Sequence, residues 1–289
     1  MNHRVKTNLF AFATISIWAS GFPLSKIALL HFNPGVLGFL RCVIAAVILL
    51  IVGSIKHMRL PQKKTDLLWF LLAGASGFGL YLLLFNMGIK TLTSATSSLV
   101  VSLTPVLTAL AAAKLYQERI KPIGWCMIGL AFAGVVILLL WDGLFSVNGG
   151  LLWTLGAMVV FSGYNLISRR LSVKGYTPLE IAFYGVSCGA LILSFYLGRG
   201  ITELSNATLP QLLSLLYLGV FPSGLAYFFW GAALGLAERT SEVTNYMFVT
   251  PLLSALLGFL LLGEIPTAGT VIGGGVIIGS IVVFNLKGK

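Results

Sequence analysis

Apolar residues fall into ten long stretches along this chain, each closed by a short polar or Pro/Gly-containing break: 8–29, 35–55, 67–89, 94–116, 121–141, 149–170, 178–197, 210–234, 240–262 and 268–285. Each stretch approaches the roughly 20 residues that a helix needs to cross the hydrocarbon core of a bilayer. None alternates apolar and polar side chains with period two, so the pattern excludes a barrel. It predicts helices, which satisfy their own backbone hydrogen bonds in lipid. The breaks between stretches are too short to hold a water-soluble domain. The first stretch follows a basic segment (His3, Arg4, Lys6), as a secretory leader would. It is longer than the apolar core of about 7–15 residues that a leader carries, so it is expected to be a retained first span.

The pattern is duplicated. Pro105 stands 13 residues before Glu118, and Pro251 stands 13 residues before Glu264. A shift of 146 lays Tyr81 on Tyr227, Ser94 on Thr240, Thr104 on Thr250 and Gly129 on Gly275 without a gap. The chain therefore divides into a first repeat over 1–141, a linker over 142–148 and a second repeat over 149–289, with five spans in each repeat. An odd number of spans forces the second copy into the membrane upside down, the arrangement of alternating-access carriers. The expected fold is an all-α integral membrane protein, with ten transmembrane helices as two inverted five-helix repeats around a central cavity.

Composition supports the bilayer as solvent. Charged residues make up 9% of the chain and hydrophobic ones 57%, whereas a soluble domain carries about 25% charged residues. The mean hydropathy is +0.97, more apolar than the surface of a water-soluble protein of this length permits. The net charge of +11 comes from basic residues scattered between spans rather than gathered in a patch, so nucleic acid is not an expected partner. With the N-terminus placed in the cytoplasm, 15 of the 19 Lys and Arg residues lie on the cytoplasmic side. Lys26, Lys90 and Arg199 fall near the other side, and Arg41 lies inside a span. The positive-inside rule then predicts a multi-pass protein of the cytoplasmic membrane with both termini cytoplasmic.

The three cysteines, Cys42, Cys126 and Cys188, lie in apolar runs without a CxxC or Cys/His cluster and are expected to be small buried hydrophobes. No cofactor and no metal site is expected. The chain also lacks HExxH, GxSxG and paired buried carboxylates, which argues against an enzyme.

Several of these residues form recognisable strings. Trp18-Ala19-Ser20-Gly21-Phe22 with Lys26 resembles the first-helix signature of the EamA family, within the drug/metabolite transporter superfamily. Phe39-Leu40-Arg41 with Ala45-Ala46 is similar to its second helix. Ser94-Ala95 through Leu103-Thr104-Pro105 to Glu118-Arg119, then Gly124, Gly129 and Gly134, resembles its fourth and fifth helices. Thr250-Pro251, Gly263-Glu264 and Gly273-Gly274-Gly275 repeat the pattern. The resemblance covers essentially the whole chain. It implies ten helices in a basket around a central cavity and a transporter of amino acids, sugars, nucleotide metabolites or drugs. The general look is closest to bacterial amino-acid and metabolite exporters, which points to efflux.

Candidate substrate-contacting residues are those with polar capacity deep in the spans: Arg41, Trp18, Tyr81, Asn86, Asn165, Tyr227, Trp230, Asn245 and Tyr246. Arg41 has two readings. It either reaches headgroups or a backbone carbonyl, or it faces the cavity and binds a carboxylate or phosphate; an Arg at a helix centre costs about 2.5–3.5 kcal/mol on insertion scales. Lys26 either snorkels or adds positive potential. No Asp or Glu stands at the centre of a span, which argues against antiport of organic cations. Glu242, one turn inside the ninth span, is the coupling candidate, with a solvated helix end as its alternative. Glu118 and Glu264 are expected to cap the helices that follow them. Pro105 and Pro251 each remove an amide donor near mid-span, freeing the carbonyls of Val101 and Met247, and are hinge candidates. Gly129 with Gly134, and Gly275 with Gly279, are expected to mark close helix contacts.

The expected function is a secondary transporter that moves a small polar organic solute by alternating access. The expected partners are that solute, membrane lipid, and a proton or other coupling ion. A lipid-handling or scaffold protein, or an exporter of another drug or metabolite class, remains the alternative.

Overall fold

The computed structural model describes residues 3–61, 63–116, 121–141, 149–237, 243 and 245–287. Among these the secondary structure is helical, without a strand. The segments are α1 (His3–Leu29), α2 (Pro34–Ile55), α3 (Lys64–Gly74, a π-helical turn at Ala75–Gly79, then Leu80–Ile89), α4 (Ser94–Val101 and Thr104–Tyr116), α5 (Pro122–Trp141) and α6 (Gly149–Val173). They continue as α7 (Pro178–Ile192, a 3-10 turn at Ser194–Tyr196, then Leu197–Ser205), α8 (Leu209–Val220, a π-helical turn at Phe221–Leu225, then Ala226–Leu236), α9 (a 3-10 turn at Asn245–Val249, then Thr250–Leu262) and α10 (Ala268–Lys287).

Among the described residues, six helical spans are long and apolar enough to cross a membrane unaided; one bent pair and three shorter apolar helices complete the ten. Large apolar side chains lie open on the outside of the bundle, as lipid requires and water forbids: Leu30 is 82% exposed, Ile55 73% and Phe195 71%. Glu118, Asp142, Glu238 and Glu242 lie outside the described residues.

Local sequence explains most of the boundaries. Asn33 caps α2 by accepting from the Gly35 amide, with Pro34 at the first turn. Thr177 and Glu180 form a reciprocal capping box at the start of α7. Gly263 ends α9 in the left-handed conformation with φ of 66°, a backbone state that glycine adopts without penalty.

One expectation changes here. The span expected at 178–197 bends by 55° after Ile192, and its continuation, Leu197–Ser205, is a separate amphipathic helix carrying Arg199, Thr202 and Glu203. The break comes where the Tyr196 ring packs over Gly35 of α2, about 2.0 Å from where a β-carbon would sit. In the ninth span a 3-10 turn at Asn245–Val249 leads into a regular helix at Thr250–Leu262, with Pro251 in its first turn. The start expected at 240 falls within 238–242, which with 244 lie outside the described residues.

The duplication extends to the irregularities. The π-helical turns at Ala75–Gly79 and Phe221–Leu225 stand 146 residues apart, and so do the helix restarts at Thr104 and Thr250. Proline is not the common cause of the π-helical turns, since Pro222 of α8 corresponds to Ser76 of α3. In α3 the turn is glycine-rich, and the Tyr164 ring of α6 fills the space where a Gly77 side chain would stand.

One core unites α1, α2, α3 and α6–α9, and a second joins α4, α5 and α10 with part of α6. Helix association in lipid rests on close packing more than on the hydrophobic effect. Gly134 of α5 supplies such a contact: an added β-carbon would meet Ile277 at 2.7 Å and the Gly273 carbonyl at 2.9 Å. Gly129, Gly275 and Gly279 face open space instead of a neighbouring helix, so the expected glycine pairs are replaced by Gly134 against Gly273. Of the cysteines only Cys42 is buried; Cys126 is exposed, and Cys188 is intermediate, packed against the edge of the main core. Gly134→Ala is expected to destabilise the protein by on the order of 1–3 kcal/mol through overpacking, while Gly129→Ala leaves the melting temperature in detergent unchanged. Equal melting temperatures for the two variants would contradict the packing described.

Candidate functional site

Seven of the ten segments meet at a small interior cavity of about 40 Å³. Trp18, Gly21 and Phe22 of α1, Arg41 of α2, Tyr81 and Phe85 of α3, Val101 of α4, Phe161 of α6, Pro222 and Tyr227 of α8, and Met247 and Thr250 of α9 line it. A water needs about 10–15 Å³ by this measure, so the cavity holds roughly three or four at most. It is contracted relative to the ~300–1,000 Å³ of ordinary ligand sites.

Arg41 is the one charged residue among the lining side chains described. It is 4% exposed, donating from Nε to Ser223 Oγ at 3.1 Å and from Nη1 to Ser25 Oγ at 3.2 Å. Both partners are neutral hydroxyls, and no carboxylate among the described residues pairs with the guanidinium. All four described carboxylates are committed at the ends of the bundle: Asp66 to Lys174, Glu180 to Arg59, Glu203 to Arg199 and Glu264 to Lys26. Arg41 is thus buried rather than at the membrane surface, and among the described residues it takes no backbone carbonyl. Its remaining N–H groups belong to a planar fork suited to bidentate carboxylate or phosphate binding.

The aromatic residues join the irregular turns to the site. Trp18 Nε1 donates to the Pro222 carbonyl at 3.0 Å, and the Tyr227 hydroxyl donates to the Gly77 carbonyl at 2.5 Å. Each acceptor lies in a π-helical turn, where the shifted ladder leaves carbonyls available. Trp18 also meets Phe161 and Tyr227 edge-on, at centroid distances of 5.5 and 5.3 Å. Tyr81 lies 4.8 Å from Phe161.

The structure brings four of the sequence candidates together on this cavity: Trp18, Arg41, Tyr81 and Tyr227. Asn86, Asn165, Trp230 and Tyr246 are not among its lining. The Asn86 amide donates to the Pro34 carbonyl at 2.9 Å, tying α3 to α2. Asn165 accepts from Trp230 Nε1 at 3.0 Å, tying α6 to α8. Tyr246 packs against the main core. The Asn245 side chain and Glu242 lie outside the described residues.

Pro105 and Pro251 each stand second in a new half-helix. The carbonyl of Val101, freed by Pro105, accepts from the Thr104 hydroxyl at 2.6 Å and is thereby withdrawn from the cavity. Sequence reasoning missed the apolar wall formed by Phe22, Phe85 and Phe161, which carries no signal beyond hydrophobicity. It also passed over the Thr250 hydroxyl, although Thr250 stood out as a repeat mate.

Ionic contacts tie segments together at both ends of the bundle. At the end where α1 finishes and α4 begins, Lys26 pairs with Glu264 and also donates to the Leu92 carbonyl at 2.9 Å. Lys26 is therefore held in a contact and is not a loose snorkelling chain. Glu264 accepts from the Ser94 amide at 2.8 Å, so it caps α4 rather than the helix that follows it. That helix, α10, is capped by Thr267, which accepts from the Thr270 amide. At the end bearing the chain termini, Arg59 bridges Glu180 and the Gly175 carbonyl, and Asp66 holds Lys174 and the Tyr176 hydroxyl. A recess of about 380 Å³ opens there beside Lys56, His57 and Arg59. It lies at the margin of the bundle, and its Arg59 is already paired with a carboxylate.

Ten apolar helices in two inverted copies, closed over an interior polar site, define an integral membrane protein of the transporter type. The chain belongs to the EamA-like transporter family, whose pattern matches residues 5–140 and 148–286. It is 31% identical to an uncharacterized transporter of Bacillus subtilis, YdfC, over 94% of this chain and 89% of that one. It is 28% identical to a protein of Streptantibioticus cattleyicolor named "Probable terminal-alkyne amino-acid exporter", over 95% of this chain and 91% of that one. It is 26% identical to a Salmonella typhimurium protein named "Probable amino-acid metabolite efflux pump", over 98% of this chain and 95% of that one. A solved crystal structure matches with a TM-score of 0.69 over 97% of this chain and 98% of that one; at 23% identity the likeness is one of fold.

Burial acts to raise the Glu264 carboxyl, and the hydrogen bonds from Lys26 and Ser94 outweigh it, so the group lies below the usual carboxylate range. A carboxyl depressed by folding stabilises fully above its unfolded pKa of about 4.3, and that contribution is lost as pH falls through the lower folded value. Glu264→Gln is therefore expected to flatten part of the acid limb of the melting temperature between about pH 7 and pH 3. Parallel limbs for the wild type and the variant would contradict this.

Proposed function

We propose that this protein is a secondary transporter that carries a small polar organic solute bearing a carboxylate, an amino acid or related metabolite, across the cytoplasmic membrane by alternating access. The observation that carries the reading is Arg41: a buried guanidinium on the central cavity, held by two hydroxyls and facing no carboxylate among the described residues. A buried unpaired charge is costly to keep, and a carboxylate cargo offsets that cost each time it binds.

The direction is outward, a reading supported by the two relatives named as an exporter and an efflux pump. Both termini are cytoplasmic, on the strength of the basic residues gathered between spans on that side. The ionic contacts at the two ends act as alternating closures. The contracted cavity widens when a closure opens. Pro105 and Pro251, at the half-helix restarts, are the flexing points. Because the described carboxylates are all engaged at the ends, facilitated diffusion or exchange fits the site better than proton antiport. The work done is translocation without a chemical step.

Arg41→Met tests the reading. It is expected to leave the melting temperature of the unliganded protein unchanged or higher, since it removes a buried unpaired charge. It is also expected to weaken carboxylate binding about tenfold or more, the worth of a lost charged hydrogen bond of about 1.5–3 kcal/mol. Flux measured in vesicles should fall with it. Unchanged affinity and rate would reduce Arg41 to a packing residue and end the proposal.

A further inference from the structure

At the end of the bundle that bears the chain termini, α2 closes on a histidine where its geometry favours glycine. The Lys56 amide donates to the Val52 carbonyl at 3.0 Å and the Met58 amide to the Gly53 carbonyl at 2.9 Å. Between them His57 takes the left-handed conformation with φ of 51°, the only non-glycine residue to do so among the described residues. Glycine is the usual occupant of this position after a helix, because a β-carbon there is strained. Strain of this kind is kept where the side chain has a use. His57 lines the recess of about 380 Å³ between α2, the start of α7 and α8, together with Lys56 and Arg59.

These three side chains form a fixed and under-neutralised group. The Arg59 amide and Nε donate to Glu180 Oε1 at 3.0 and 3.1 Å, and Nη2 donates to Glu180 Oε2 at 3.2 Å and to the Gly175 carbonyl at 2.6 Å. The Arg59 carbonyl accepts from the Tyr184 hydroxyl at 2.8 Å, which pins the segment to α7. Nη1 has no partner among the described residues. Glu180, the one carboxylate in the lining, is 2% exposed and also accepts from the Thr177 amide, so both its oxygens are taken. One carboxylate thus answers one guanidinium. The Lys56 and His57 side chains are left without a hydrogen-bond or ion-pair partner among the described residues.

The rest of the recess is apolar, with Val52, Met58, Leu179 and Phe228. Val52 is itself exposed, and Ile55, three residues on, is 73% exposed, so the recess borders the lipid-facing outside of α2. We propose that it binds an anionic phospholipid of the leaflet on that side. The phosphate lies on Lys56, His57 and the free edge of Arg59, and an acyl chain runs along Val52 and Ile55. Basic residues beside apolar surface at headgroup depth are the chemistry that selects such a lipid. A water-soluble anion would leave the apolar part of the recess uncovered. A second copy of this chain is a poorer occupant, because its described carboxylates are all engaged in ion pairs. The site is separate from the central cavity and does not depend on the cargo.

The test is a thermal-shift titration of the purified full-length protein, delipidated in an uncharged detergent, with phosphatidylglycerol or phosphatidylcholine of the same acyl chains. Phosphatidylglycerol should raise the melting temperature saturably, and phosphatidylcholine should need about tenfold more for the same shift. Lys56→Gln and His57→Gly should each raise the half-saturating amount of phosphatidylglycerol about fivefold. His57→Gly relieves the backbone, so its melting temperature without lipid should equal or exceed that of the wild type, which separates loss of the site from loss of the fold. Lys64→Gln removes a charge at the same end but outside the recess and should change nothing. An equal loss in Lys64→Gln would reduce the effect to the general positive field of that face and overturn the proposal. Equal shifts from the two lipids would overturn it as well, as would the same shift from glycerol 1-phosphate, which would make the ligand a soluble anion.

Discussion

A guanidinium removed from water and facing no carboxylate among the described residues is the constraint around which this bundle is organised. Placing Arg at the centre of a membrane helix costs about 2.5–3.5 kcal/mol even on the mildest scales, and Arg41 recovers part of that through Ser25 and Ser223. Those two serines come from α1 and α8, one from each repeat, so the charge is held across the repeat interface. The remainder of the cost persists in the unliganded state. On the transport reading proposed above, a carboxylate that binds this guanidinium better in one conformation than in another shifts the population toward that conformation.

The repeat architecture explains how such a site is framed. The π-helical turns and the proline breaks fall at equivalent positions in both copies, so the middle of α3, α4, α8 and α9 is irregular where it surrounds the cavity. Non-helical backbone at membrane depth survives only where protein or water satisfies it. Here side chains do so: Trp18, Tyr227 and Thr104 each cap one freed carbonyl. The symmetry is one of backbone rather than of side-chain use, because Arg41 corresponds to Ser187 and the mated hydroxyls of Thr104 and Thr250 are used differently. Duplication supplies the frame, and divergence of a few side chains within it leaves one charge among the described lining residues. The ionic contacts at the two ends differ for the same reason: Lys26 with Glu264 at one end, Arg59 with Glu180 at the other.

Much of this was legible in the sequence. Ten apolar stretches and a gapless offset of 146 residues lead directly to ten helices in two copies, because the bilayer permits few other solutions. Arg41, Trp18, Tyr81 and Tyr227 stood out as polar-capable residues at mid-depth, and the structure places all four on one cavity. Asn86, Asn165 and Trp230 looked equivalent by depth alone but are turned toward neighbouring helices, a matter of helix rotation that no single-sequence pattern records. The bend after Ile192 was hidden because no proline or glycine marks residues 193–197, and the contact beside it, the Tyr196 ring on Gly35, is long-range. The role of Glu264 was misjudged for a related reason: the amide it caps, Ser94, is 170 residues away. Local rules found the elements, whereas rotation and partner choice required the packed bundle.

The most direct test of the site is a structure of the protein determined with a bromine-labelled aromatic carboxylate, which marks the ligand's position by its own scattering. The account predicts the carboxylate on the Arg41 guanidinium and the brominated ring among Trp18, Phe85 and Phe161, in a cavity enlarged well beyond 40 Å³. A ligand seated elsewhere, or an Arg41 found paired with a carboxylate of the protein itself, would contradict it.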